Sequence, residues 1–479
     1  MDRRGFIQGA AWASLAATAG GCMFRRSVSG GCGSMSGFVT KPMERVRVGF
    51  VGIGARGIGA VHRCAMIPGV DIVAVCDNNP EKLIACRKWF QDKKLPLPKE
   101  IGGDFGWRDL CQMDIDVVYE AVPWELHVPV ALEAMRCGKH ALVEVPAAMT
   151  IDDCWELVET SEKTRLNCMM LENCCYGENE MLALNMTRKG VFGEIVYGEA
   201  GYLHHGSGLT RLGKEKTRSW QRKWYQEHHG NIYPTHGLGP VALCMDINRG
   251  DRFDYLTSVE TGSFGPDSVT KKLYPDPSDW RHSCNYKLGD YNTTIIRTVN
   301  GKSILLQLSM FLPHKYSRIN TIQGTRGIML DYPLRIAVEK ELGQGVGEFN
   351  NKYDPAETER LREAYKHPMW KVAGEVAKKV GGHGGMDFIM DLRWVYCLQN
   401  GLPLDMDVYD LAAWSCIFEA SERSVNKRSM PIDIPDFTRG AWKSAKPLEM
   451  CEVDLAKMGI GVGDVHRDES ALGIERKEQ

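Results

Sequence analysis

The sequence predicts an α/β chain of two domains, an N-terminal doubly wound parallel sheet followed by an α/β domain with a large, mostly antiparallel sheet. Three observations carry this expectation. A β-rich alternating run, Arg45 to Val51, leads directly into glycines at 52, 54 and 57. A second run, Asp71 to Val75, is followed by Asp77, twenty residues beyond Gly57. Past residue 170 strand-like runs follow one another at Ile195 to Leu203, Tyr255 to Gly262, Tyr291 to Thr298, Ser303 to Leu308 and Asn320 to Gln323. Consecutive strands of this kind pair antiparallel.

In chain order, residues 1–22 read as a twin-arginine export signal. Arg3-Arg4 precedes Gly5-Phe6-Ile7, an Ala-rich apolar stretch and small residues before Cys22. Ala19-Gly20-Gly21-Cys22 also resembles a lipoprotein cleavage box, in which Cys22 would carry a lipid anchor, although Leu is usual where Ala19 sits. The expected location is the periplasm or cell envelope, reached through the twin-arginine translocase. Residues 23–43, rich in Ser, Gly and basic side chains, read as a flexible linker.

Residues 44–170 form the first domain. The glycines make G-x-G-x-x-G at a strand-to-helix turn: Gly52 for the tight turn, Gly54 for close approach of a pyrophosphate, Gly57 for helix packing on the strand. The helix N-terminus supplies the anion site. A carboxylate at Asp77 would accept hydrogen bonds from an adenosine ribose and repel a 2′-phosphate, which favours NAD over NADP. Further βα units follow, with Val117 to Pro123 as a strand, a helix through WELHVPVALEAMRCGKH, a strand from Ala141 to Pro146, and a closing helix and strand at Cys154 to Thr164 and Asn167 to Leu171. This is the Rossmann pattern. Twin-arginine export carries folded proteins, so NAD loaded in the cytoplasm would travel into a compartment with no pool to reoxidise or replace it. Chemistry that returns NAD to its starting state follows. Residues 171–445 form the second domain, and 446–479 read as a charged tail that packs loosely or frays.

A chain of 479 residues with 43% hydrophobic content can bury two cores. A net charge of −2 and a pI of about 6.7 exclude a nucleic-acid surface and favour a neutral ligand. No run after the leader is long and apolar enough to span a bilayer. The sixteen cysteines show no disulfide or zinc spacing. Most are expected to be buried thiols, including Cys64, Cys76, Cys137, Cys397 and Cys416, and Cys174-Cys175 is too close to bridge to itself. Oligomeric state, including a homo-oligomer, is left open.

The densest polar cluster outside the first domain is WYQEHHGNIYPTHGLGP at 224–240. Tyr233 and His236, three apart near the start of a helix, would share a face and present a phenol and an imidazole to one ligand. The alternative is a capping His236 and a packed Tyr233. The pairs His204-His205 and His228-His229 show no third ligand at a metal-binding spacing, so no metal is expected. No carboxylate pair of the usual glycosidase kind stands out among 61 acidic residues.

Several segments resemble the Gfo/Idh/MocA oxidoreductase superfamily and, within it, glycoside hydrolase family 109, the NAD-dependent α-N-acetylgalactosaminidases. They are EVPAA at 144–148, LENCCYGENEMLALNM at 171–186, GNIYPTHGLGP at 230–240, INRGDRFDYL at 247–256, YSRINTIQGTRGI at 316–328 and HGGMDFIMD at 383–391. The resemblance spans roughly residues 45–445. Where most dehydrogenases of the superfamily carry Glu-Lys-Pro, this chain has Glu144-Val145-Pro146, which fits the hydrolase branch. The resemblance implies hydrolysis of terminal α-N-acetylgalactosaminyl glycans by oxidation, elimination, water addition and reduction on a tightly bound NAD that is not consumed. Carried over residue by residue, it implies NAD contacts at Gly54, Ala55, Arg56, Gly57, Asp77, Trp124, His127, Glu144, Val145, Asn173, Trp220 and Tyr233. It implies sugar contacts at Tyr202, Gln221 or Arg222, Tyr233, Thr235, His236 and Tyr316, with His236 and Tyr233 as catalytic acid/base groups. A second reading is an exported NAD(P)-retaining sugar oxidoreductase of the same superfamily.

Overall fold

The parallel sheet begins at Val46, where Val46, Val48 and Phe50 bury one side of a strand that is central in its sheet. The computed structural model describes residues 33–205, 219–340, 349–350, 352–448 and 453–460. The chain divides into two units, Met1–Gly33 and Ser34–Gln479. Arg3, Arg4 and Cys22 lie outside the described residues.

Six strands, β1 (Val46–Val51), β2 (Val70–Cys76), β3 (Lys99–Ile101), β4 (Val117–Glu120), β5 (His140–Val143) and β6 (Cys168–Met170), form one sheet in the order β3-β2-β1-β4-β5-β6. All neighbours run parallel. The strand order reverses between β1 and β4, and ligands of such sheets sit beyond the strand ends at that reversal. The glycine turn follows β1 there.

The second sheet has eight strands: β7 (Ile195–Leu203), β8 (Phe253–Glu260), β9 (Asn292–Thr298), β10 (Ser303–Ser309), β11 (Thr321–Gly324), β12 (Gly327–Leu330), β13 (Arg335–Val338) and β14 (Ile432–Asp433). Their order is β13-β12-β11-β7-β10-β9-β8-β14, and every pair is antiparallel except β7 with β10. The sequence-based strands fall within this sheet to within two residues at their ends.

The helix Thr235–Cys244 lies directly on β7. Glycine makes this possible: a Cβ on Gly237 would come within 2.3 Å of the Gly201 backbone nitrogen, and one on Gly198 within 2.5 Å of Val241. On the helix's other side, a Cβ on Gly239 would come within 3.1 Å of Glu172 Cγ. Two glycines in one helix therefore bring the Tyr233–His236 segment against both Tyr202 on β7 and Glu172 beyond β6.

Two expectations need correction. The segment 34–43 is not a free linker: Met35 is 2% exposed in the main core, its N–H donates to Tyr409 Oη at 3.0 Å, and Met43 N–H donates to the Leu398 carbonyl. Apolar side chains at 35 and 43 won over the local Ser/Gly composition. Within the tail, Val453, Leu455 and Met458 are buried in the same core, so that stretch packs rather than frays. Residues 461–479 lie outside the described residues. All thirteen described cysteines are free, eleven of them buried, while Cys137 and Cys284 are half-buried. Among the described residues no helix is long and apolar enough to cross a membrane.

Candidate active site

The turn after β1 has the form a dinucleotide needs. Gly52 has φ +80°, and a Cβ on Gly57 would come within 1.9 Å of the Gly52 carbonyl oxygen, so a side chain at either position is excluded. A Cβ on Gly54 would meet nothing within 4 Å, so the turn faces open space where a pyrophosphate would lie. Asp77 follows β2 and accepts hydrogen bonds from Ile53 N–H and Asn79 N–H, both at 2.9 Å, which holds its carboxylate beside the turn. These residues fit NAD.

Arg56, two residues past Gly54 in the first turn of the helix, makes two ion pairs and keeps its Nη2 buried without a partner. Its Nε donates to Glu144 at 2.6 Å and its Nη1 to Asp387 at 2.5 Å. Asp387 also accepts from Asn173 Nδ2 at 2.5 Å and pairs with His383 at 2.9 Å. Burial opposes ionisation of Asp387, but the Arg56 guanidinium and the His383 imidazole win and hold its carboxyl well below the usual range. This network ties the glycine turn to the strand end after β5 and to the helix Met386–Asn400. The buried His127 ring lies between two carbonyls, with Nδ1 2.8 Å from that of Pro146 and Nε2 3.0 Å from that of Val122; burial lowers its pKa, so the neutral ring donates to one of them, and it packs against the Glu144-Val145-Pro146 loop, in which Val145 is buried.

An aromatic wall continues from there. Trp124 stacks on Tyr233 with centroids 5.8 Å apart at 18°, and meets Trp220 at 5.4 Å and Trp224 at 5.6 Å. Tyr202 lies 5.0 Å from Tyr233 and 5.3 Å from His236, with Tyr316 edge-on to it at 6.0 Å. The phenol and imidazole meet directly: Tyr233 Oη is 3.1 Å from His236 Nε2, although Tyr233 precedes the helix by two residues.

His236 Nδ1 lies 2.6 Å from Glu172 Oε1. Glu172 is fully buried; burial raises its pKa, but attraction to the imidazole outweighs this and keeps it below the ordinary value. An ionised carboxylate only accepts, so Nδ1 carries the proton and Nε2 presents its lone pair to Tyr233. The result is a relay, Tyr233 to His236 to Glu172. Cys174 lies near this pair, and the three possible ligand atoms fall within 4.8 Å of one another. However, His236 and Glu172 are spent on each other, and burial pushes the Cys174 thiol well up, so this set is a hydrogen-bonded pair beside a neutral thiol. His228 pairs with Glu422 and His229 with Glu260, on separate partners.

The remaining residues divide. Thr235 is fully buried in the first turn of the helix and backs the site. In the helix Ser219–Glu227, Gln221 is buried with its Oε1 unpaired, while the Arg222 guanidinium lies 4.6 Å over the Trp280 ring. Glu172 and Asp387 carry no role that local spacing shows, because His236 lies 64 positions from Glu172 and Arg56 lies 331 from Asp387, and His383, four positions from Asp387, joins the site only through it. Their motifs stood out, but spacing assigned them nothing.

Comparison with known proteins gives the family and the fold. A sequence profile of the glycosyl hydrolase 109 C-terminal domain matches residues 176–444, and one of the oxidoreductase family NAD-binding Rossmann fold matches residues 46–172. The chain belongs to glycosyl hydrolase family 109. It is 46% identical over 417 residues to a glycosyl hydrolase family 109 protein of Shewanella pealeana, covering 87% of this chain and 90% of that one. It is 45% identical, with the same coverage, to a protein of Shewanella oneidensis named alpha-N-acetylgalactosaminidase. Among solved structures, levoglucosan dehydrogenase with NADH and levoglucosan superposes with a TM-score of 0.60 at 19% identity, covering 82% of this chain and all of that one. A scyllo-inositol dehydrogenase from Lactobacillus casei gives 0.56 at 15%, covering 82% and 99%. These two establish the fold of this family 109 member: a parallel domain joined to a mostly antiparallel sheet.

Proposed function

We propose that this family 109 member is an α-N-acetylgalactosaminidase that works by a redox-neutral cycle on a retained NAD, in the cell envelope after twin-arginine export. The observation that carries the reading is the Tyr233–His236–Glu172 relay, set in an aromatic wall beside the strand-order reversal. It is built to move protons, which is what such a cycle asks of the protein. The name of the Shewanella oneidensis relative supports the substrate.

Gly54, Ala55, Gly57 and Asp77 would hold NAD, which when bound supplies a hydride acceptor for sugar C3 and a donor for the final reduction. A sugar hydroxyl bonded to Tyr233 Oη passes its proton along the phenol to His236 Nε2. Glu172 holds Nδ1–H throughout, so the imidazole stays oriented and its positive form is stabilised. A ketone at C3 acidifies the C2 proton; once His236 has released the first proton to water, the Tyr233–His236 pair takes this one, the C1–O bond breaks and the aglycone leaves as the alcohol on accepting a proton, and water then adds at C1 as a proton returns to C2. Trp124, Trp220 and Tyr202 screen the reacting face from bulk water.

The test is p-nitrophenyl α-N-acetylgalactosaminide given to purified holoprotein without added NAD, alongside mass spectrometry of the denatured protein for NAD. Nitrophenol release with cofactor present is expected, with deuterium at C2 of the sugar when the reaction runs in D₂O. No release, together with lactone formation from free sugars, would instead make the protein a sugar oxidoreductase.

A further inference from the structure

Beyond Tyr316 lies a cavity of about 560 Å³ that the relay does not use. Rings lead to it from the reacting pair: Tyr233 to Tyr202 at 5.0 Å, Tyr202 to Tyr316 at 6.0 Å, Tyr316 to Tyr332 at 6.0 Å. Tyr316, 40% exposed, lines the cavity and meets Tyr202 of the reacting cluster edge-on. Trp370 lines the far side and donates its indole N–H to the Tyr176 carbonyl. The glycine turn and Asp77 do not line this cavity.

Most of its charges are already matched. Arg318 pairs with Glu180 and donates to Tyr316 Oη at 2.9 Å, Glu178 pairs with Lys366 and Lys378, and Arg362 pairs with Glu359 and Glu363. Asp331 accepts from Asn179 Nδ2 through both oxygens, at 3.1 and 3.0 Å. Among the described lining residues Asp331 alone lacks a charged partner, and burial raises its pKa, so the lining holds little to attract an ion. It offers instead an acceptor carboxylate and, since burial pushes their hydroxyls up, the neutral phenols of Tyr316 and Tyr332. Flat rings beside donors and acceptors in a space of this size suit a neutral polyhydroxylated ring. Tyr332 itself sits at φ +61°, an uncommon backbone for an aromatic residue, of the kind that clusters at ligand sites.

We propose that this cavity is the subsite for the second sugar of the glycan, the neutral pyranose released as the aglycone; the proposal rests on the glycosidase reading above. Tyr332 would stack on that sugar and Asp331 would accept from its hydroxyls.

The experiment compares two substrates of the holoprotein: methyl α-N-acetylgalactosaminide, whose aglycone is too small to reach the cavity, and N-acetylgalactosamine α-linked to galactose. Wild-type kcat/KM is expected to be about tenfold or more higher for the disaccharide. Tyr332→Ala should bring the disaccharide to within about twofold of the methyl glycoside, and Asp331→Asn should lower the preference at least about threefold. Both variants should leave methyl glycoside turnover and NAD content unchanged. Asp331→Asn carries the test alone where Tyr332→Ala does not fold. Equal rates on the two substrates, or variants that keep the wild-type preference, would overturn the subsite while the glycosidase reading stands. If neither glycoside is cleaved, the glycosidase reading fails, and calorimetric binding of the disaccharide to wild type and variants then decides the cavity: weaker binding to the variants keeps it as a sugar site, and equal binding removes it.

Discussion

The glycine turn after β1 and the relay beside β7 are both small sites on one folded body, yet they are encoded at different ranges. Gly52, Gly54 and Gly57 span six positions, and their spacing is itself the geometry, because φ +80° at Gly52 and the 1.9 Å approach at Gly57 are local demands. The relay places Glu172 against His236 across 64 positions, and Asp387 reaches Arg56 across 331. The glycine backbone of the first site should tolerate most changes elsewhere, apart from the Asp387 and Glu144 that hold Arg56. A site of the second kind should fail when a distant partner changes.

The largest effect that would break this contrast comes from His236. If its imidazole moves the proton, His236→Ala should fold, keep NAD and lose about 10²-fold or more in turnover per NAD-loaded molecule. A purely structural histidine would instead lose stability and cofactor together, with the surviving molecules fully active.

Glu172→Gln sharpens the comparison next. Glu172 acts through His236 as a positioning residue, so the variant should lose roughly 10- to 100-fold in kcat, the range typical of partners that orient a working histidine. KM and NAD occupancy should hold. The distinguishing readout is the pH profile: without the carboxylate the imidazolium loses its stabiliser, so the limb reporting the histidine should move to lower pH. An unmoved profile with a lower melting temperature would make Glu172 merely structural.

Asp77→Ala probes the local site. Loss of a charged acceptor for the ribose is worth about 1.5–3 kcal/mol, or roughly tenfold or more in NAD affinity, and should relax discrimination against NADP. Activity per NAD-loaded molecule should stay near wild type. A variant that binds NAD as tightly and still rejects NADP would remove Asp77 from the ribose.

The smallest expected effect lies in the core of the cofactor half and leaves the chemistry alone. Glu120, on β4, is 1% exposed with neither carboxyl oxygen hydrogen bonded, and burial pushes its pKa well above the ordinary 4.5. The folded state therefore holds a proton that the unfolded chain releases. Its contribution is fully present below about pH 4.5 and declines as pH rises toward the folded value. Glu120→Gln should flatten this decline, so its melting temperature should gain on wild type between about pH 5 and 8 at unchanged turnover. Parallel curves would show that Glu120 does not titrate with folding.

Much of the molecule was legible in order along the chain. The parallel sheet follows from glycine spacing and apolar runs, and β7 to β11 from alternation, because these signals are local and periodic. Tyr233 and His236 were legible as a pair, since three positions at the edge of a helix bring side chains together. The segment 34–43 misled because its Ser/Gly composition hides Met35, whose burial depends on a pocket formed by other segments.

The sequence by itself determined the two-domain α/β architecture, the dinucleotide turn with Asp77 beside it, and the presence of a phenol and an imidazole on one face. Tertiary structure alone decided which carboxylate orients that imidazole, that Arg56 pairs with Glu144 and Asp387, and that Tyr316, in ring contact with Tyr202, also lines a cavity. The physical reason is range. Backbone conformation and periodicity act over a few residues, whereas a buried charge finds its partner only where the packing of two sheets and the Gly237–Gly239 helix brings distant segments within hydrogen-bonding distance.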